Sequence, residues 1–173
     1  MRALSSLLLT AGLLALVGCG YHTLSAAAHL PPEARTLAIP VFTTQTDTYH
    51  TETAMTEAVI REFASRSRLR IEPDTNGDPD AVLHGTILQE SVVPLTYNTS
   101  TQQSSSYLVT VVASVKLTGR DGQVLYEKKN YVFRQQYQTT TDLPAYFDES
   151  PAAIERLSRD FARALVADVL EGL

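Results

Sequence analysis

The chain has 173 residues, with 14 Lys and Arg against 19 Asp and Glu and a formal net charge of −5. So few cations exclude sequence-independent nucleic-acid binding, which draws on dense Lys and Arg; no nucleic-acid partner is expected. There is a single Cys and no Trp. No disulfide can form within one chain, so the fold rests on its apolar core, which a single domain of this length can supply.

Residues 1–18 read as a signal peptide: Arg2, an apolar stretch from Leu7 to Val17, then the small Gly18. The stretch is 11 residues long, against the roughly 20 that span a bilayer. Leu16-Val17-Gly18-Cys19 resembles the lipobox of bacterial lipoproteins. That resemblance implies acylation of the Cys19 thiol with diacylglycerol, cleavage before Cys19, and acylation of the new amino terminus. The competing readings are a plain secretory signal with an incidental cysteine, and a short transmembrane helix. An unpaired secreted Cys would be a reactive thiol, and acylation removes it. Each buried methylene contributes about 0.8 kcal/mol, and stable anchoring takes more than one chain. Without residues 1–18 the chain loses Arg2 and becomes one unit more acidic.

Residues 19–35 read as the lipidated N-terminus and a tether, with Ala26-Ala27-Ala28 and Pro31-Pro32 and no clear period. Residues 36–173 read as one domain. Thr36 to Phe42 is a short apolar run holding Pro40. Proline lacks the ladder donor, so this strand lies at an edge or ends near Pro40. Asp47 or Thr48 caps a helix starting near Tyr49 or His50. Met55, Val59 and Phe63, with Ala58 beside them, form its apolar face, and it ends near Ser67. Glu57 and Arg61 pair on its wet side. Leu69 to Glu72 is a short strand, and Asp74 to Asp80 a loop of turn formers.

Ala81 to Leu95 reads as a strand with a break at Gly85. A Thr/Ser/Gln/Asn-rich loop runs from Tyr97 to Tyr107. Tyr107 to Thr118 follows as the most β-branched strand. Gly119-Arg120-Asp121-Gly122 is a hairpin turn. Gln123 to Gln138 returns antiparallel, and the length of the two strands invites a bulge or bend. Thr139 to Glu149 reads as loop. Ser150-Pro151 starts a second helix, whose stripe of Ile154, Leu157, Phe161, Leu165 and Val169 runs to near Glu171. The expected architecture is α+β: a two-layer sandwich, two helices on one face of a mostly antiparallel mixed sheet of about four strands.

Candidate sites are few. In Asp74 to Asp80 the glycine falls at the fourth position and Gly85 at the twelfth, which does not fit a calcium loop, so the segment reads as a solvated turn. His22, His29, His50 and His84 are scattered without metal-ligand spacing, and His84 reads as a partly buried packing residue. Glu127 and Asp142 read as surface carboxylates. Nucleophile-elbow, S-x-x-K and phosphate-loop patterns are missing, and Cys19 is committed to the anchor. No catalytic residue, metal or cofactor is expected. Lys116, Arg120, Lys128, Lys129 and Arg134 gather around the hairpin. They read as a solvated strand face, or as a cationic patch for an anionic ligand such as a phosphorylated lipid. Simple alternation puts Lys128 and Arg134 on one face and Lys129 on the other, with Lys116 across the hairpin.

Cys19-Gly20-Tyr21-His22, Leu30-Pro31, Thr36-Leu37-Ala38-Ile39-Pro40-Val41-Phe42, Thr56-Glu57-Ala58 and Arg61-Glu62-Phe63 occur in that order. They are followed by Asp80 to Ile87, the Tyr107 to Thr118 strand, Gly122 to Tyr126 and a terminal amphipathic helix. This arrangement resembles the LPS-assembly lipoprotein family, LptE. The resemblance implies a lipoprotein of the outer membrane, anchored in its inner leaflet. There it would plug the lumen of a β-barrel translocon, LptD, assist its assembly, bind lipopolysaccharide and take part in its delivery to the cell surface. Gly20 is not the aspartate that breaks the enteric sorting rule for the outer membrane. Lys116, Arg120, Lys128 and Lys129 are the candidate lipopolysaccharide-binding residues, chosen by charge and hairpin position. The 97–107 loop suits hydrogen bonding to a polar barrel wall. The alternative readings are an adaptor or pilotin-like chaperone for another outer-membrane complex, and a lipid-carrying or hydrolytic lipoprotein.

Overall fold

A computed structural model describes residues 29–46, 51–96, 105–140, 147–148 and 150–172. The signal peptide, Cys19, most of the tether, His22, His50, the caps at Asp47 and Thr48, the centre of the polar loop, and Asp142 lie outside the described residues.

The strands among the described residues are β1 (Thr36–Ala38), β2 (Thr43–Thr44), β3 (Arg70–Glu72), β4 (Ala81–Pro94), β5 (Ser106–Gly119), β6 (Val124–Thr140) and β7 (Phe147–Asp148). The helices are α1 (Thr51–Arg66) and α2 (Ser150–Glu171). The strands form one mixed sheet in the order β3-β1-β4-β5-β6-β7, with β2 also pairing β4. The sheet has seven strands, not about four, in part because β2 and β7 are two-residue strands that carry no period. β1 pairs in parallel with β3 and β4. It lies inside the sheet, not at an edge, and ends before Pro40, so the missing proline donor costs no ladder bond.

Gly85 does not break β4; it pairs with Val115 in the ladder. A Cβ at Gly85 would sit 2.4–2.5 Å from the Phe42 ring carbons, so the ring occupies that space. The irregularity falls instead between Ile87 and Gln89. The β5–β6 turn closes as the sequence predicts: Gly122 has φ +79°, and its amide donates to Gly119 O at 2.9 Å. Asp121 Oδ1 accepts from the Gln123 amide at 3.0 Å. The expected Thr139 to Glu149 loop is partly strand: β6 continues to Thr140 and pairs with β7 through Thr139↔Asp148 and Thr140↔Phe147.

α1 and α2 pack together on one face of the sheet, as expected. α1 buries Met55, Ala58, Val59 and Phe63, and α2 buries Leu157, Phe161, Leu165 and Val169. Ile154, at the start of the predicted stripe, is only half-buried, while Ala153, Ser158, Ala162 and Val166 are buried beside it. Phe161 is the centre of the aromatic core. Phe42, Tyr131 and Phe133 meet it edge-on, with ring centroids at 6.1, 5.4 and 5.7 Å. Burying such a ring stabilises the fold by about 1.5–3 kcal/mol, and edge-to-face geometry adds to that. Arg66 pairs with Glu171 and joins the C-terminal ends of the two helices. The Glu57–Arg61 pair forms at 3.3 Å on the exposed side of α1.

Candidate functional site

The structure divides the hairpin cations instead of gathering them. Arg120 stands in the β5–β6 turn and bonds Asp80 Oδ1 at 3.0 Å and the Asp78 carbonyl at 2.7 Å. Asp80 is itself a structural acceptor. Its Oδ2 takes the Arg35 and Thr36 amides at 2.8 and 3.0 Å and the Thr36 hydroxyl at 3.0 Å. Those backbone bonds hold its carboxyl below the usual range, and the Thr36 hydroxyl and Arg120 add to the effect. Asp74 Oδ1 accepts the Asn76 amide at 3.0 Å, an Asx turn, so this segment folds on its own side chains.

Lys128 and Arg134 lie on opposite faces, contrary to simple alternation. The cause is a bulge: Ala113 pairs with Tyr131 and Val115 with Lys128, so two β6 residues oppose one on β5. A bulge of this kind inverts the parity of all that follows. Lys128 therefore shares the helix-covered face with Tyr126, Tyr131 and Phe133. Arg134 faces away, in a rung with Thr110 and Ser91. Lys116 is on that same outer face, between His84 and Glu127. His84 is exposed there, not packed. Lys129 sits in the bulge and is exposed. Among the described residues, no ion pair is formed by Lys116, Lys129 or Arg134.

Lys128 belongs to a polar cluster under the C-terminal end of α2. Asp168 Oδ2 accepts from Lys128 Nζ at 2.9 Å, Tyr131 Oη at 2.6 Å and Tyr126 Oη at 3.0 Å. The two tyrosine oxygens are 2.5 Å apart, so three short oxygen contacts share two hydroxyl protons. Lys128 Nζ also lies 4.2 Å from the Tyr131 ring centroid. Burial raises the Asp168 carboxyl, but bonds from Tyr131, Lys128 and Tyr126 outweigh it and leave the carboxyl below its ordinary value. Burial pushes Tyr126 up to about 12, and burial with the Asp168 bond pushes Tyr131 up as well. His29 closes the cluster: its ring lies 5.1 Å from Tyr126, and its amide donates to Val169 O at 3.3 Å. The backbone at His29 is thus held at the end of α2.

The opposite end of the long strands carries exposed apolar side chains. Val92, Val93 and Leu95 are exposed there, beside a stacked Tyr107–Tyr137 pair with centroids 5.4 Å apart. The polar loop predicted at 97–107 springs from this end. Sequence reading missed the Asp168 cluster because Asp168 lies 37 to 42 positions from its donors. The available signal was an acid set among Leu165, Val166 and Val169. Among the described residues, no group of three or more His, Cys, Asp and Glu could hold a metal ion. No helix there is long and apolar enough to cross a membrane, which says nothing of strands.

A family model described as LptE, lipopolysaccharide-assembly, matches residues 34–169. No curated protein matches the sequence. Solved structures of similar fold include an uncharacterized lipoprotein B from Nitrosomonas europaea. It is 10% identical, with a TM-score of 0.54, over 84% of this chain and 88% of that one. A protein from Xanthomonas campestris is 16% identical, with a TM-score of 0.50, over 82% and 90%. A PelC dodecamer subunit from Paraburkholderia phytofirmans is 10% identical, with a TM-score of 0.50, over 84% and 92%. At these identities the likeness shows the fold alone.

Proposed function

Since the chain belongs to the LptE lipopolysaccharide-assembly family, we propose that it is a lipid-anchored, non-enzymatic lipoprotein on the periplasmic side of the outer membrane. There it plugs a β-barrel lipopolysaccharide translocon of the LptD type and assists its assembly. The observation that carries this reading is the family match over residues 34–169. The surface is consistent with it. The sheet face away from the helices is mixed, with His84, Thr86, Ser114, Lys116 and Thr118 among Val82, Val112 and Val132, and its polar members suit a water-lined barrel lumen better than a lipid phase. Cys19 is the proposed lipidation site. Of the hairpin cations, Lys116, Lys129 and Arg134 form no ion pair among the described residues and are available to an anionic ligand such as lipopolysaccharide. Arg120 and Lys128 are engaged by Asp80 and Asp168.

The test is co-purification of the tagged full chain from outer membranes in mild detergent. Recovery of a large β-barrel, with reduced surface lipopolysaccharide on depletion, is the expected result. Recovery of a secretin or another complex instead, with surface lipopolysaccharide unchanged, would favour the adaptor reading.

A further inference from the structure

Among the described residues the sheet edges differ in character: one side ends on β3 and, beyond β2, on the last residues of β4, and the other ends on β6. β3 is three residues long and carries its own Arg70–Glu72 pair. Short edges of this kind resist further pairing. β6 is 17 residues long, yet β7 covers only Thr139 and Thr140. Extending β7 would bring Pro151 opposite Gln136, where proline has no amide to give. Among the described residues, no strand pairs with β6 on this side before Thr139, and the helix start at Ser150-Pro151 keeps β7 from extending further.

The register shows which backbone groups face outward. The Thr139 amide donates to Ser105 O at 3.1 Å, so odd positions from Tyr131 onward are directed toward β5. Val132, Arg134 and Gln136 direct their amides and carbonyls away from the sheet. Arg156 Nη2 approaches the Gln136 carbonyl at 3.5 Å, a side-chain donor at this edge. Lys129 lies just before this stretch and Arg134 within it. A second copy paired antiparallel about Arg134 would oppose Arg134 to Arg134, which is destabilising. An acidic strand would not.

We propose that the β6 edge, along Val132 to Gln136, receives an added strand: an extended acidic segment of the barrel partner, bound by main-chain hydrogen bonds. The chemistry is β-augmentation, with the backbone supplying affinity and Lys129 and Arg134 selecting carboxylates. The inference rests on the barrel-partner reading above.

The experiment is co-expression of the full chain with the barrel, using Val132→Pro and the double variant Lys129→Glu/Arg134→Glu. Proline is tolerated where an edge amide faces solvent, so Val132→Pro removes one outward donor and keeps the β5 ladder. The charge variant leaves the backbone intact and keeps the test open if the proline variant does not fold. Both should lower barrel recovery about tenfold or more, with the charge variant's thermal midpoint unchanged. The amides of Val132 and Arg134 should gain hydrogen-exchange protection in the complex. Wild-type recovery of the barrel with undiminished recovery by the folded variants, or fast exchange at those amides, overturns the edge proposal alone. Failure of the wild-type chain to bring down a barrel overturns the reading beneath it.

Discussion

Asp168 on α2 and Tyr131 on β6 are joined by a hydrogen bond of 2.6 Å that fastens the end of the helix to the sheet. An acid near a helix C-terminus opposes the macrodipole. Three donors on one oxygen offset that cost: Lys128 and the two tyrosines. Asp168→Ala should therefore lower unfolding free energy by about 1–3 kcal/mol, since it leaves half-buried donors unpaired. Tyr131→Phe should cost less, and the double variant less than the sum of the two. Urea denaturation of all three variants checks this, and strict additivity would show that the residues act independently.

The same cluster and Asp80 set the response to pH. Tyr126 and Tyr131 have folded-state values raised above 10.0. Their contribution is fully present below pH 10 and is lost as pH rises through the folded value, about 12 for Tyr126. Asp80 and Asp168 are depressed below 3.8, so their contribution is present above that value and lost as pH falls through the lowered one. Thermal midpoints should fall at both extremes. Tyr126→Phe should flatten the alkaline limb and also shorten the acid limb slightly, because its hydroxyl helps hold Asp168 down. Asp80→Asn should shorten the acid limb and leave the alkaline limb alone. An alkaline limb unaltered by Tyr126→Phe would rule out the hydroxyl as its source.

The helices and the β5–β6 turn were legible because period and turn chemistry are local. Met55, Val59 and Phe63 sit on one face at helical spacing, and Gly122 stands where the turn needs a positive φ. The faces of β6 were not legible. The length of the strands invites a bulge, but nothing in Lys128-Lys129-Asn130 places it there, and one extra residue moves Arg134 across the sheet. The Asp168 cluster was hidden for a different reason, since it exists only once α2 is laid over β6. Gly85 shows a third case. A glycine in a strand reads as a break, but its role is to admit the Phe42 ring.

That role makes Gly85→Ala a packing test. The added methyl would meet ring carbons at 2.4–2.5 Å, and Phe42 is buried and set edge-on to Phe161. Overpacking of this kind costs about 1–3 kcal/mol. Combining it with Phe42→Leu should recover part of the loss, because the smaller side chain vacates the space. Chemical denaturation of the single and double variants decides it, and a Gly85→Ala variant as stable as wild type would mean that the ring moves aside freely.

Lys128 and Lys129 are adjacent in sequence but should respond differently to charge reversal. Lys128→Glu would place a second carboxylate against Asp168, where the ammonium now sits at 2.9 Å. It should lower the thermal midpoint, whatever it does to ligand binding. Lys129 is exposed in the bulge and has no ion pair among the described residues, so Lys129→Glu should leave the midpoint unchanged. On the proposed reading, Lys129→Glu combined with Lys116→Glu weakens lipopolysaccharide binding, most visibly at low salt where screening is weak. The measurement is affinity for purified lipopolysaccharide at low and physiological ionic strength, alongside a melt of each variant. Equal affinities at low salt would make Lys116 and Lys129 ordinary solvated surface and remove them from the binding site.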